Sequence, residues 1–542
     1  MKINVPPAHR RAAGLNSTLR IPMHTPPVSR LSNLRSDVFA GIVVFLVALP
    51  LCLGIATASG VEPFAGLVSG IVGGLVVALL SGSHLSVSGP AAGLVVIVVS
   101  AIASLGSFSA FLAAVLIAGA LQVGFGLLRA GRLASFVPVA VIKGMLASIG
   151  IILIVKQIPL GVGLASGTDA DMAHAGTLAT PFGHVSIVSV VLVVVSVAML
   201  FAWETPRAKR YALVRMLPGP LAAVALGIGA TLALGLLAPA LALPAEHRVS
   251  LVSLDSFAAL TGAISMPDFT QLVDADVWRV ALTLAVVASL ETLLSLEAVE
   301  QIDPQRRRAS PDRELKAQGV GNMVAAVLGG LPLTAVIVRS SANVHAGAQT
   351  RMSAVIHGVL LLASVFALTA VLNLIPLACL AAILIHTGYK LAKPALFAAM
   401  AREGVDRFVP FVTTIVGVLA TDLLIGIGIG IATSALLAMR VNLSRTFTLT
   451  RHDDHYLLVL RKDATFLSKP MLTHCLGQIP DSATVLIDAE RADFIDRDIR
   501  DALDAFVGEA ARRQITVERL RWPEPAAQEG RALLPSLRAT TG

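Results

Sequence analysis

The sequence predicts an all-α polytopic membrane protein followed by a small α/β domain, and three observations carry that reading. Of 542 residues, 55% are hydrophobic and only 14% charged, where a soluble chain carries about a quarter, and the mean hydropathy is +0.80. Apolar runs suited to crossing about 30 Å of hydrocarbon recur from Val38 to Met439. After Arg440 the pattern changes to short, alternating strand and helix signatures. Buried core helices of a large soluble protein are disfavoured, because acidic and basic residues are nearly missing from so many successive runs.

Taken in order, full or partial spans fall near 38–58, 64–82, 90–104, 108–128, 133–156, 185–203, 218–242, 277–298, 317–331, 339–349, 353–373, 376–389, 408–422 and 424–440, fourteen in all. The loops give an independent check, since Lys and Arg collect on the cytoplasmic side. Arg129 follows the fourth span and Arg132 lies beside it. Arg207, Lys209, Arg210 and Arg215 follow the sixth, Arg306, Arg307, Arg308, Arg313 and Lys316 the eighth, Arg351 the tenth, and Lys390 and Lys393 the twelfth. From Gln157 to Val185 there is no Lys or Arg, and from Pro244 to Val277 only Arg248. An even number of spans with both termini cytoplasmic follows, in the cell inner (plasma) membrane.

The expected organisation is a cytosolic segment over 1–34, a transmembrane domain over 35–442, a cytosolic α/β domain over 452–522 and a disordered tail over 523–542. In the α/β domain, His455–Leu460, Ala483–Ile487 and Gln514–Leu520 read as strands, and Lys469–Leu476 and Arg497–Ala511 as helices. The segment up to Asp37 is too polar and Pro-rich for a cleavable signal. Cys52, Cys379 and Cys475 have no paired spacing, which excludes a disulfide framework and a zinc knuckle. No phosphate-loop motif is present, which argues against an ATP-driven pump on this chain. The net charge of +8 resides mostly in the topogenic loops and the tail, so it indicates orientation in a bilayer and not a nucleic-acid partner.

Two stretches break the apolar pattern at membrane depth. They are SGSHLSVSGPAAGL (Ser81–Leu94) and GGLPLTAVIVRSSANVHAGAQ (Gly329–Gln349). Irregular backbone at that depth is tolerated only inside protein or against a wet cavity. Each reads as a short strand leading into a half-helix that starts near Pro90 or Arg339, and a helix N-terminus favours an anion. The first break comes about 50 residues after the first span begins, the second about 60 after the eighth begins. Matched breaks in two seven-span halves, about 35–243 and 270–440, point to inverted repeats with a binding site between them.

Glu291 falls inside the eighth span, where an acidic side chain costs roughly 2.5 to 3.5 kcal/mol on insertion scales. Ser295 lies one turn on, along the same helix face. The pair could hold sodium or relay a proton, or Glu291 could form a structural pair with Arg339. Arg339 would add fixed positive charge beside the anion site. Glu297 and Glu300 read as solvated, and His84, His345, His357 and His386 as packed or hydrogen-bonded histidines without ligand spacing.

At these residues the sequence resembles the SulP family of inorganic-anion transporters, with a STAS-like domain behind the transporter. The carriers are VALPLCLGIATASG (Val47–Gly60), LSVSGPAAGL (Leu85–Leu94), SLETLLSLEAV (Ser289–Val299) and GGLPLTAVIVRSSANVHAGAQTRMS (Gly329–Ser353), and the likeness spans Arg35 to about Arg440. The resemblance implies core and gate domains built from two inverted seven-span repeats, and a homodimer. It implies an anion held by Leu51, Ile55, Ser88, Gly89, Ala91, Ala92, Val338, Arg339 and Ser340. It further implies ion coupling at Glu291, Ser295 and Ile337, with sodium at Glu291 and Ser295. Three departures stand out: Ala91 replaces a common hydroxyl, Val336–Val338 replaces more polar residues, and Arg497 stands where phosphorylatable STAS-like domains have Ser.

The expected function is secondary-active transport of sulfate or bicarbonate by alternating access, coupled to sodium or protons, and not an enzymatic reaction. Sodium or a proton would serve as coupling ion and no other cofactor is expected; the partners are the anion, the lipid bilayer and a second copy of the chain. An anion channel, an exchanger, a nucleobase or dicarboxylate carrier and a membrane sensor are the competing readings.

Overall fold

Hydrophobic runs with no charged residue to interrupt them fold as helices in lipid, because only intrahelical bonds satisfy the backbone there. A computed structural model describes residues 30–131, 137–163, 186–211, 214, 217–252, 262, 264–443, 446–492 and 494–520. The tail expected over 523–542, nearly all of the N-terminal segment and most of the loop from 157 to 185 lie outside the described residues. The first repeat comprises α1 (Arg30–Ala58), α2 (Pro63–Leu80), α3 (Ala92–Leu105), α4 (Phe108–Leu127), α5 (Val139–Gly161), α6 (Ile187–Trp203) and α7 (Gly219–Leu237). The second comprises α8 (Ala275–Ile302), α9 (Pro311–Val327), α10 (Ile337–His345), α11 (Met352–Ala367), α12 (Leu377–Leu391), α13 (Val405–Ala420) and α14 (Leu423–Leu443). Strands β1 (Ser88–Pro90) and β2 (Leu333–Ala335) precede α3 and α10.

Among the described residues, seven helices (α1, α2, α4, α5, α7, α8 and α14) are long and apolar enough to cross a membrane unaided. At nine residues, α10 rises only about 14 Å, half a bilayer core. The packing sorts the helices into two bundles that each draw on both repeats. In one, α1 lies against α2, α10 and α11, and α4 against α8 and α9; in the other, α5 lies against α12, α13 and α14, and α6 against α7 and α12.

Glycines set the closest crossings. A Cβ on Gly119 (α4) would meet the Gly319 carbonyl (α9) at 2.7 Å, and one on Gly358 (α11) would meet Gly74 (α2) at 2.9 Å. These two crossings correspond under the repeat symmetry, α2 matching α9 and α11 matching α4. In the other bundle a Cβ on Gly150 (α5) would lie 2.5 Å from the Gly388 carbonyl (α12). Only hydrogen at these positions lets the backbones touch. Within α2, a π-turn at Gly73–Val77 brings Gly73 against the Ser88 carbonyl of β1.

The C-terminal unit is a four-stranded sheet of β3 (Phe447–His452), β4 (His455–Leu460), β5 (Thr484–Asp488) and β6 (Thr516–Leu520) in that order, with α15 (Lys469–Gly477) and α16 (Arg497–Ala510). The β3–β4 pair is an antiparallel hairpin, and β4, β5 and β6 run parallel. Strand β3 was not anticipated, and the sheet begins ahead of the expected boundary at 452. Its residues FTLTRH end in exposed polar positions and read as a linker until the Asp453 turn, with φ of 51°, pairs them with β4. Leu458, Val485, Ile487, Ile499 and Leu503 are fully enclosed between the sheet and the helices.

Candidate functional site

The two chain breaks meet. Strands β1 and β2 pair antiparallel, with Ser88 opposite Ala335, Gly89 opposite Thr334 and Pro90 opposite Leu333. The Val336 amide donates to the Val87 carbonyl at 3.0 Å, and Asn343 Nδ2 donates to the Leu85 carbonyl at 3.0 Å. These bonds tie the first turns of α10 to the strand that feeds α3. Both helix starts lack a side-chain cap, since Ala91 and Val336 occupy the N-cap positions in extended conformation. Their first-turn amides therefore have no side-chain partner. The observed starts, Ala92 and Ile337, lie two residues either side of the expected Pro90 and Arg339.

Arg339 is 0% exposed, the largest side chain so enclosed. Its Nη2 donates to the Pro90 carbonyl at a long 3.4 Å, and Nε and Nη1 have no hydrogen-bond partner. Gly89 is required beneath it, because a Cβ there would collide with Nη1. A buried cation with most donors unmatched is costly, on the order of several kcal/mol, unless an anion joins it.

Glu291 packs on α3 from the other side: a Cβ on Gly93 would lie 2.9 Å from Oε1 and 3.0 Å from Oε2. Its Oε2 is enclosed without a partner. No ion pair joins it to Arg339 among the described residues, so the structural pairing considered from the sequence is not formed. Ser295 is 7% exposed one turn further on, while Thr292 Oγ1 between them accepts from the Ala335 amide at 3.3 Å. Ile337 opens α10, its side chain packed against the cluster of Ala40, Leu85 and Val299. Glu297 is exposed as expected, whereas Glu300 accepts from the Ala309 amide at 2.7 Å.

The remaining predicted residues divide. Ser88 Oγ accepts from Gln318 Nε2 at 2.6 Å, which leaves its own proton to donate. Ser340 needs correction as an anion ligand: its hydroxyl accepts from the Val87 amide at 2.9 Å and donates to the Val336 carbonyl at 2.8 Å, so its proton is committed to the fold. Ala91 and Ile55 are enclosed and Ala92 is partly so, all in the main apolar cluster. Leu51 is 5% exposed within the same cluster and Val338 is 38% exposed, and both line a cavity.

Sequence reasoning missed the polar spine that holds the strands. Glu314, Gln318 and Asn322 recur every fourth residue along α9, each at most 2% exposed. Glu314 accepts from Ser81 Oγ at 2.5 Å and from Gln318 Nε2 at 3.1 Å. Asn322 brackets Leu333, donating to its carbonyl at 3.1 Å and accepting from its amide at 2.7 Å, and also donates to Gln122 Oε1 at 2.7 Å. The i, i+4, i+8 spacing of Glu314, Gln318 and Asn322 along one face of the helix was the available signal.

Between the bundles lies a cavity of about 440 Å³. Phe39, Val43, Val47 and Leu51 line it along one face of α1, and Val338, Ala342, His345 and Ala346 along one face of α10. Opposite them stand Leu200, Trp203 and Glu204 from the end of α6, Leu217 to Pro220 leading into α7, and Ile383, His386, Thr387 and Lys390 from α12. Phe39 to Leu51 is a drop of about 18 Å along α1. The floor is thus Leu51 and Val338, at the N-terminus of α10, and the mouth lies among the basic residues Lys209 and Lys390. His386 is packed, as expected, 6% exposed with its ring edge-to-face on Phe201 at 5.1 Å between centroids, while its Nε2 has no hydrogen-bond partner.

Two bundles exchanging helices between repeats, with half-helices meeting at a paired break, define an inverted-repeat membrane transporter fold. The chain belongs to the sulfate permease family, whose model matches residues 34–415. It is 28% identical over 447 residues to YvdB of Bacillus subtilis, covering 80% of this chain and 78% of that one. It is 26% identical over 421 residues to the bicarbonate transporter BicA of Synechocystis, covering 75% and 70%. The transmembrane domain of a cyanobacterial BicA superposes with a TM-score of 0.61 at 24% identity, over 74% of this chain and 97% of that one. Murine Solute Carrier 26 family member A9, an anion transporter solved in the inward-facing state, superposes with a TM-score of 0.70 at 14% identity, over 91% and 86%. The family consists of transporters, not enzymes.

Proposed function

We propose that the protein is a secondary-active transporter of small inorganic anions, sulfate or bicarbonate, that works by alternating access. The observation that carries this is Arg339, fully enclosed with Nε and Nη1 unmatched, immediately after the residue that floors the cavity. An anion descending to the N-terminus of α10 would meet uncapped amides and, with a small rearrangement at Val338, the free guanidinium edge. Relatives named as a bicarbonate transporter in Synechocystis and as a sodium-independent sulfate anion transporter in Bos taurus support the substrate class.

The cavity favours a carrier over a channel, since it ends at Leu51 and Val338. Alternating access would follow from displacement of the bundle that holds α3 and α10 against the other. The mouth, by the basic-loop rule, faces the cytoplasm of the inner membrane, with both termini on that side. Coupling rests on Glu291 and Ser295: the unmatched Oε2 and a hydroxyl one turn away are hard oxygen donors that suit sodium, or a carboxyl that suits a proton. The bilayer and a second copy of the chain complete the functional unit.

The test is uptake of radiolabelled sulfate and bicarbonate by purified protein in liposomes, each with and without sodium. Saturable flux of one anion supports the reading. Large unitary currents without saturation, or flux of neither anion, would overturn it.

A further inference from the structure

Near the mouth of the cavity, three side chains from two elements form a cluster that the transport site does not use. His386 is 6% exposed, lines the cavity and has no hydrogen-bond partner at Nε2. That nitrogen lies 3.8 Å from Glu204 Oε2, at the C-terminus of α6. The other Glu204 oxygen, Oε1, is ion-paired with Lys390 Nζ. One carboxylate thus faces two nitrogen groups and is bonded to one of them.

The surroundings are limited. Glu204, Lys390 and Lys393 are the charges acting on His386, and Lys209 and His345 line the same cavity. The lining residues of α1 and α7 are apolar, and the Phe201 ring lies between the imidazole and Tyr389, 4.9 Å from the latter. Burial raises the Glu204 acid, but the Lys390 ammonium more than offsets that and holds it below its ordinary value. Glu204 is therefore ionised throughout the neutral range.

We propose that His386, Glu204 and Lys390 form a second ligand station in the cavity wall, which takes up one proton on His386 Nε2 together with one small inorganic anion on Lys390. The proton comes from solvent and adds to the imidazole lone pair. The imidazolium then draws Glu204 toward itself, and the Lys390 ammonium released from that carboxylate binds the anion. Proton and anion thus assist each other's binding; together they leave the net charge of the station unchanged for a monoanion such as bicarbonate and lower it by one for sulfate. The station rests on the transport reading only for its choice of anion.

The experiment uses the full chain in detergent, with Trp278 and Trp522 changed to Phe so that Trp203, which lines the cavity, reports alone. Its emission is titrated with sodium sulfate, sodium bicarbonate and sodium chloride between about pH 5.5 and pH 8.5, the interval in which histidine changes charge. Sulfate should bind roughly tenfold tighter at the acid end. H386N and H386Q should each abolish that slope and keep the alkaline affinity. K390Q should weaken binding at every pH while K390R restores it, and E204Q should tighten alkaline binding and flatten the slope. H345N should leave the slope unchanged.

A slope that persists in H386N or H386Q and in E204Q, or no emission response to any of the three salts, overturns the station. Parallel liposome uptake separates the two readings. A flat Trp203 titration with intact flux sinks the station alone. An intact slope with no flux sinks the transport reading alone.

Discussion

Arg339 and Glu291 are opposite charges a helix apart, each lacking partners it could have had. Removing the guanidinium removes the fixed charge that an anion would answer, so Arg339→Ala should raise the half-saturating anion concentration at least several-fold, as measured by initial uptake rates. Arg339→Lys keeps charge and loses the planar donor fork, and should recover only part of the affinity. Glu291→Gln should uncouple uptake from sodium or pH while the protein stays monodisperse; normal ion dependence in that variant removes Glu291 from the coupling site. Gly93→Ala would push a methyl into the carboxylate, and the same loss of coupling is expected from displacement alone. Both charged residues were legible in the sequence because charge at membrane depth is rare. The partnerless state of each was not, since a salt bridge between them fitted the sequence equally well. Ser340 shows the reverse failure: a hydroxyl beside the site reads as a ligand until its two backbone bonds are seen.

At the scale of elements, the fourteen spans were readable to within a few residues for most helix starts, because apolarity alone dictates them. The two breaks were readable because Pro, Gly and hydroxyl residues interrupt that apolarity. The spine on α9 and strand β3 were not, since each depends on a partner outside its own element: Leu333 for Asn322, Tyr456 and its neighbours across the hairpin for β3. Asn322→Leu should lower the melting temperature in detergent by a few degrees, corresponding to about 1 to 3 kcal/mol for leaving the Leu333 amide unmatched in the interior. A larger effect on anion affinity than on melting would show that the spine chiefly aims the strands, not merely stabilises them.

Across the whole molecule, the cavity opens toward one side, and chemistry from that side should report it. Cys52, Cys379 and Cys475 are all buried, so the native background is quiet. Ala342→Cys, on the cavity face of α10, should react with a membrane-impermeant thiol reagent supplied from the cytoplasmic side and be protected by saturating anion. Reaction only from the opposite side would reverse the assigned topology. The Glu204 to Lys390 pair spans α6 and α12 of the second bundle. Because the folded acid is held below its unfolded value, the pair stabilises the protein above roughly pH 4 to 4.5, and that contribution is lost as pH falls through the lower folded value. Glu204→Gln should therefore flatten the acid side of a stability profile and leave the alkaline side unchanged in shape.

The glycine crossings have a further consequence for how the polypeptide is assembled. Gly119 with Gly319 and Gly74 with Gly358 fasten helices of one repeat to helices of the other, and Gly150 with Gly388 does the same in the second bundle. A gene cut between α7 and α8 would thus encode two pieces that each hold half of both blocks and a complete copy of neither. Produced separately, each should be cleared by quality-control proteases; produced together, they should find one another in the bilayer and survive.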